Sequence, residues 1–228
     1  MTKQTVLVVG ASRGLGFALA EEWLRLGWHV IATTRGRSDE LSELADGFPG
    51  SFEVETVDIN DASGVRALHD RLKDRRLDVL FVNAGIARAI EESPATASEG
   101  DFLDMMLTNA FSPVRAAEIL RDLVPTGGTI AIMTSELGSI TNANGGWQLY
   151  SSSKAALNML MKGYAAKTVA DGHTLLLVAP GWVRTEMGGS EATLSIEESI
   201  PLVVEMIADN KGKPGLRYVD RFNQELPW

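Results

Sequence analysis

Tyr150 and Lys154 stand four residues apart in the run Tyr150-Ser151-Ser152-Ser153-Lys154, which leads into the helix-forming Ala155-Ala156-Leu157-Asn158. On a helix, positions i and i+4 share a face. A phenol beside an ammonium is expected to ionise below its ordinary pKa of about 10, because the positive charge favours phenolate. Such a tyrosine can give and take a proton near neutral pH. The same spacing also suits an ordinary solvated helix face, so the pair needs a second feature before it carries chemistry.

That feature is a glycine-rich turn. A continuous apolar run, Thr5–Val9, passes into Gly10-Ala11-Ser12-Arg13-Gly14-Leu15-Gly16, where a helix should begin. Glycines permit the tight turn and let backbone N–H groups approach a pyrophosphate at the helix N-terminus. Gly10, Ser12, Arg13, Gly14, Leu15 and Gly16 are therefore candidate dinucleotide ligands. A carboxylate at the end of the second strand would bind the ribose hydroxyls of NAD. Here that strand ends Thr33-Thr34-Arg35, with no acid. Arg35 and Arg13 suit a ribose phosphate instead, through charge-assisted hydrogen bonds, so NADPH is expected over NADH.

Alternating strands and helices must position these groups. Strands are expected at residues 5–9, 30–33, 52–57, 79–82, 129–133 and 175–179, with a short one near 216–219. Helices are expected at 15–26, 38–45, 62–72, 102–123, 150–169 and 196–208. Pro113 should bend or interrupt the fourth. The apolar strands have the pattern of parallel strands covered on both faces. The expectation is an α/β fold: a single-domain Rossmann-type doubly wound parallel sheet with helices on both faces, spanning residues 1–228. Two long connections, 135–149 and 185–195, follow strands and should overlie the carboxyl edge of the sheet, where ligands bind. Residues 185–210 are expected to include a substrate lid.

Composition narrows the function. A net charge of −9 argues against nucleic acid or an anionic membrane as partner. With no cysteine, disulfides, thiolate metal sites and thiol catalysis are excluded. His29, His69 and His173 are isolated from one another, which argues against a metal site. The start of the chain has no signal-peptide pattern and no apolar run approaches a membrane span, so a cytoplasmic protein is expected.

Together these residues resemble the short-chain dehydrogenases/reductases. The resemblance covers essentially the whole chain. It rests on Gly10-x-x-x-Gly14-x-Gly16, Asp58-Ile59, Asn83-Ala84-Gly85, Asn109, Ser135, Tyr150-x-x-x-Lys154 and Pro180-Gly181-Trp182-Val183-Arg184-Thr185. Ser135-Glu136-Leu137-Gly138-Ser139-Ile140, Ser153-Lys154-Ala155-Ala156-Leu157-Asn158 and Leu226-Pro227-Trp228 resemble the sniffer and C-factor type of carbonyl reductase.

The resemblance implies roles. Tyr150 would protonate a substrate carbonyl oxygen while the nicotinamide delivers hydride to carbon. Lys154 would depress the Tyr150 pKa and bind the nicotinamide ribose. Ser135 would donate a hydrogen bond to the same oxygen, although Ser139 and Thr134 also carry hydroxyls nearby. Asn109 would hold a water that links Lys154 to solvent. Asp58 would meet the adenine amino group, with Ile59 against the ring, and Asn83, Ala84 and Gly85 would approach the adenosine ribose. Pro180, Gly181, Val183 and Thr185 would line the cofactor, Thr185 fixing its carboxamide.

Candidate substrate contacts are residues 86–89, Leu137, Trp147 and 182–189. Trp147 and Trp182 point to an apolar or aromatic carbonyl. The leading expectation is thus an NADPH-dependent reductase of small carbonyl compounds, without a metal. A nucleotide-binding signalling protein with little turnover is the alternative. Sugar-nucleotide chemistry would need a larger C-terminal substrate region. By resemblance, the long helices would pair in a homodimer or homotetramer.

Overall fold

The computed structural model describes residues 3–228. Seven strands, β1 (Thr5–Val9), β2 (His29–Thr34), β3 (Phe52–Thr56), β4 (Val79–Val82), β5 (Thr129–Met133), β6 (Thr174–Ala179) and β7 (Gly215–Asp220), form one sheet. All pairings are parallel, in the order β3-β2-β1-β4-β5-β6-β7. The order reverses between β1 and β4, which opens a crevice at their carboxyl ends.

The strands bury both faces, and alternate residues divide between two core layers. Leu7, Leu80, Ile130 and Leu177 face one layer; Val6, Val8, Phe81 and Leu176 face the other. The first layer is closed by α3 (Ala62–Leu72), α5 (Ser112–Leu120) and α6 (Gln148–Lys167), through Leu68, Leu120, Leu157 and Met161. The second is closed by α1 (Gly14–Arg25), α2 (Asp39–Gly47) and α7 (Ile196–Asn210), through Leu19, Trp23, Leu41 and Val203. The Rossmann-type doubly wound architecture is therefore present, and β1, β4, β5 and α3 have the predicted bounds.

The long helix expected at 102–123 is broken. It comprises α4 (Glu99–Met105), a π-helical turn (Met106–Phe111), α5 and a 3₁₀ turn (Arg121–Leu123). Pro113 lacks the N–H that would bond to the carbonyl of Asn109, and its ring crowds that carbonyl, so the backbone widens there. Part of the stretch expected to include a lid, residues 196–210, forms α7. Ile200, Val203, Val204, Met206 and Ile207 of α7 are buried in the second layer, so residues 196–210 belong to the core.

Candidate active site

The glycine turn joins β1 to α1. The N–H of Gly10 bonds to Thr33 Oγ1 at 3.0 Å, and Asn83 Nδ2 donates to the Gly10 carbonyl at 2.8 Å. These contacts weld the ends of β1, β2 and β4. A Cβ at Gly16 would fall 2.1 Å from the Gly10 oxygen, and one at Gly10 would fall 2.9 Å from the Ala84 backbone. The turn can close only with glycine at both places. The helix that follows has no side-chain cap, whereas Ser38, Asp61, Ser98 and Ser195 cap α2, α3, α4 and α7. The first N–H groups of α1 are thus left to an outside acceptor, which fits a pyrophosphate.

Arg35 is exposed just beyond β2 with no carboxylate in its place. Exposed Arg13 forms an ion pair with Glu186 of the 185–195 loop. Asp58 accepts the N–H of Asn60 at 2.9 Å in a local turn. Ile59 follows in the same turn. Its side chain is 4% exposed within the first core layer, and its carbonyl accepts from Arg115.

Tyr150 and Lys154 project from the first turns of α6 and both are buried. Lys154 Nζ lies 5.7 Å from the centre of the Tyr150 ring and donates to the Met133 carbonyl at 3.0 Å. An ammonium has three donors, so two remain for other partners. From their spacing, Lys154 is expected to lower the Tyr150 pKa. The electrostatics run the other way: burial pushes the phenol above its usual value, and the Ser135 side chain offsets this only in part. Burial also brings Lys154 down to about 8. Desolvation opposes charge on both groups.

Ser135 follows β5 and opens a 3₁₀ turn, Glu136–Gly138; its Oγ accepts the Leu137 N–H at 3.1 Å. The other two hydroxyls are bonded as well. Ser139 Oγ accepts from Asn142, and Thr134 Oγ1 donates to Asn158 Oδ1 at 2.8 Å. Asn109 sits in the π turn. Its Oδ1 accepts the Ile86 N–H, and its Nδ2 donates to the Ile86 carbonyl and to Ser153 Oγ. A Cβ at Gly85 would lie 3.3 Å from Asn109 Oδ1 and 3.7 Å from Lys154 Nζ. A methyl group there would press on Asn109 Oδ1 and touch Lys154 Nζ.

Around Tyr150 lies a third apolar cluster, separate from both core layers. It includes Met105, Leu149, Ile86, Phe102, Leu137 and Trp147, with the Trp147 ring edge-on to Tyr150 at 5.6 Å. Trp182 stands apart; it is exposed and its Nε1 bonds to the Gly188 carbonyl. Val183 pairs with Leu194, which closes the neck of the loop, and Thr185 Oγ1 accepts the Gly188 N–H within it. Thr185 lies over Gly14, 3.8 Å from where a Cβ there would be. Pro180 is held by Ser199, and Gly181 adopts a φ of +86°.

Two residues of this region had no predicted role. Asn158, one helical turn past Lys154, had a legible signal in the spacing 150, 154, 158. Tyr218, on β7, had none.

Residues 4–194 match the family model for short chain dehydrogenases, and the chain belongs to that family. A Burkholderia multivorans chain assigned to the short-chain dehydrogenases/reductases, with bound NADP, is 45% identical and superposes with a TM-score of 0.97 over 100% of both chains. The carbonyl reductase Sniffer of D. melanogaster is 29% identical, with a TM-score of 0.91 over 100% of both chains. C-signal of Myxococcus xanthus is 32% identical over 67% of this chain and 93% of its own length. The chain therefore resembles the sniffer and C-factor type within its family. Among the described residues, no helix is long and apolar enough to cross a membrane, and no group of three or more His, Cys, Asp or Glu could hold a metal ion.

Proposed function

We propose that this oxidoreductase interconverts a small carbonyl compound and its alcohol, prefers NADPH, and uses Tyr150 as proton donor. The observation that carries the reading is the convergence of Tyr150, Ser135 and Lys154 at the carboxyl edge of the sheet, against an apolar wall and beside an uncapped glycine turn. A nicotinamide held by the glycine turn and Lys154 would supply hydride to the carbonyl carbon. The protein supplies the rest. Burial keeps the Tyr150 phenol protonated, as a donor must be, and the proton leaves only for an oxygen as basic as a forming alkoxide. Ser135 orients and polarises that oxygen. Lys154 anchors the ribose with its free donors, and Asn109 fixes the wall behind it. The loop 185–195 excludes water once the site is filled.

Arg13 and Arg35, without an acid after β2, support the phosphorylated cofactor, and the NADP-bound relative agrees. The apolar wall favours an apolar or aromatic carbonyl. Exposed Leu103, Leu107 and Phe111 repeat at helical spacing across α4 and the π turn, and support a homo-oligomer paired through its long helices. The similarity to C-signal keeps one second reading, a nucleotide-binding signalling protein with little turnover. Steady-state assays of aldehydes, ketones and quinones with NADPH and NADH separate them. Turnover with a preference for NADPH is expected. Tight nucleotide binding with no turnover on any substrate would favour the signalling reading.

A further inference from the structure

Ser135 is held by a residue 83 positions away in the chain. The hydroxyl of Tyr218 donates to the Ser135 carbonyl at 2.6 Å, and that oxygen also accepts the Gly138 N–H at 2.9 Å. Both lone pairs are thereby used, and the peptide that carries the Ser135 side chain onward into its 3₁₀ turn cannot rotate freely.

The rest of the serine segment is fixed in the same way. Asn158 accepts from Thr134 Oγ1 on one side and donates to the Gly138 carbonyl at 3.2 Å on the other. The carbonyl of Trp228 receives both the N–H and the Oγ1 of Thr141. Tyr218 is itself supported. Its ring lies 5.5 Å from that of Trp228, its carbonyl accepts the Leu226 N–H, and it is 2% exposed. Burial brings its phenol up to about 12, so it stays a donor across the working pH range. Its hydroxyl is too deeply engaged with backbone to meet substrate.

We infer that Tyr218 is a positioning residue: through the Ser135 carbonyl it fixes the direction of the Ser135 hydroxyl toward the carbonyl oxygen of the substrate. The inference rests on the proposed oxidoreductase function. It goes beyond that function by extending the site to β7, at the far edge of the sheet. A hydroxyl that must point within a few tenths of an ångström of a reacting oxygen needs its backbone fixed from outside its own loop.

Tyr218→Phe removes the one hydroxyl and keeps the ring against Trp228, so the variant retains its packing. In carbonyl reduction, kcat is expected to fall about tenfold with the KM for NADPH unchanged. The decisive comparison repeats the substitution in Ser135→Ala, where it should cost nothing more, because the group it positions is gone. A purely structural role would give the same fold loss in both backgrounds. That result, or an unchanged kcat in Tyr218→Phe, overturns the inference. If the unaltered protein reduces no carbonyl, the enzymatic reading fails separately. Hydrogen exchange at the Leu137 and Gly138 amides then decides the positioning claim. Exchange about tenfold faster in Tyr218→Phe upholds it, and unchanged exchange refutes it.

Discussion

Asn109 brackets the backbone of Ile86, accepting its N–H and donating to its carbonyl, each at 2.8 Å. One side chain from the π turn thus stands in for a strand partner where the chain leaves β4. A third bond to Ser153 at 3.0 Å ties the same side chain to α6, between Tyr150 and Lys154. Asn109→Ala leaves the buried groups unpaired and should cost about 2–4 kcal/mol of stability, read as a lower urea midpoint. Stability within error of the parent would mean that water replaces the side chain without loss.

Tyr150→Phe removes the transferable proton and little else. Turnover should fall about a thousandfold or more, while the Kd for NADPH, followed by fluorescence titration, stays within about threefold. Full activity in this variant would place the acid elsewhere.

Lys154 carries a pH signature whose sign follows from its burial. Its folded pKa of about 8 lies below the ordinary value of 10.5, so between these limits the unfolded chain binds more protons than the folded one. Stability therefore rises with pH across that window, and the penalty for burying the charge is fully present below pH 8. Because the raised Tyr150 pKa opposes this above about pH 10, the clear interval is pH 8–10. Lys154→Met should flatten the rise and make the protein more stable at pH 7, by about 1–3 kcal/mol after the lost bond to Met133 is counted. Guanidinium titrations at several pH values measure both effects; an unchanged slope refutes the assignment.

Gly16→Ala tests the phosphate turn directly. The new methyl would meet the Gly10 oxygen at 2.1 Å and Asn83 Nδ2 at 2.5 Å, and backbone cannot yield as a flexible side chain can. A loss of about 2–3 kcal/mol and of NADPH binding by calorimetry is expected. Normal affinity would show that the turn relaxes without consequence.

Arg13→Ala and Arg35→Ala should each raise the Kd for NADPH about tenfold and leave that for NADH nearly constant. Glu186→Gln frees Arg13 from an exposed pair worth at most about 1 kcal/mol, so it should tighten NADPH binding only a few-fold. Equal weakening of both cofactors by the arginine variants would move the ribose phosphate to other residues.

Much of the framework was legible because its causes are local. Val, Ile and Leu runs such as Val6–Val9 and Leu175–Val178 form strands wherever both faces are covered, and Pro113 marked the break in its helix. Tyr150 and Lys154 share a helix, so their proximity followed from spacing alone. Burial was not legible. It reversed the direction expected for the Tyr150 pKa. The bond from Tyr218 to Ser135 reaches from β7 across β6 to the end of β5, a juxtaposition that no spacing announces.

Both margins of the sheet carry features that discourage a foreign strand. On β3, Glu53 pairs with His29 and Arg75, and Glu55 pairs with Arg71, so an intruding strand would have to displace charge. Along β7, residues 224–226 fold back antiparallel, with Asp220 N–H bonded to the Gln224 carbonyl and Leu226 N–H to the Tyr218 carbonyl. Residues 224–226 thus cover the carboxyl-terminal part of the outer edge of β7, where a foreign strand would otherwise pair.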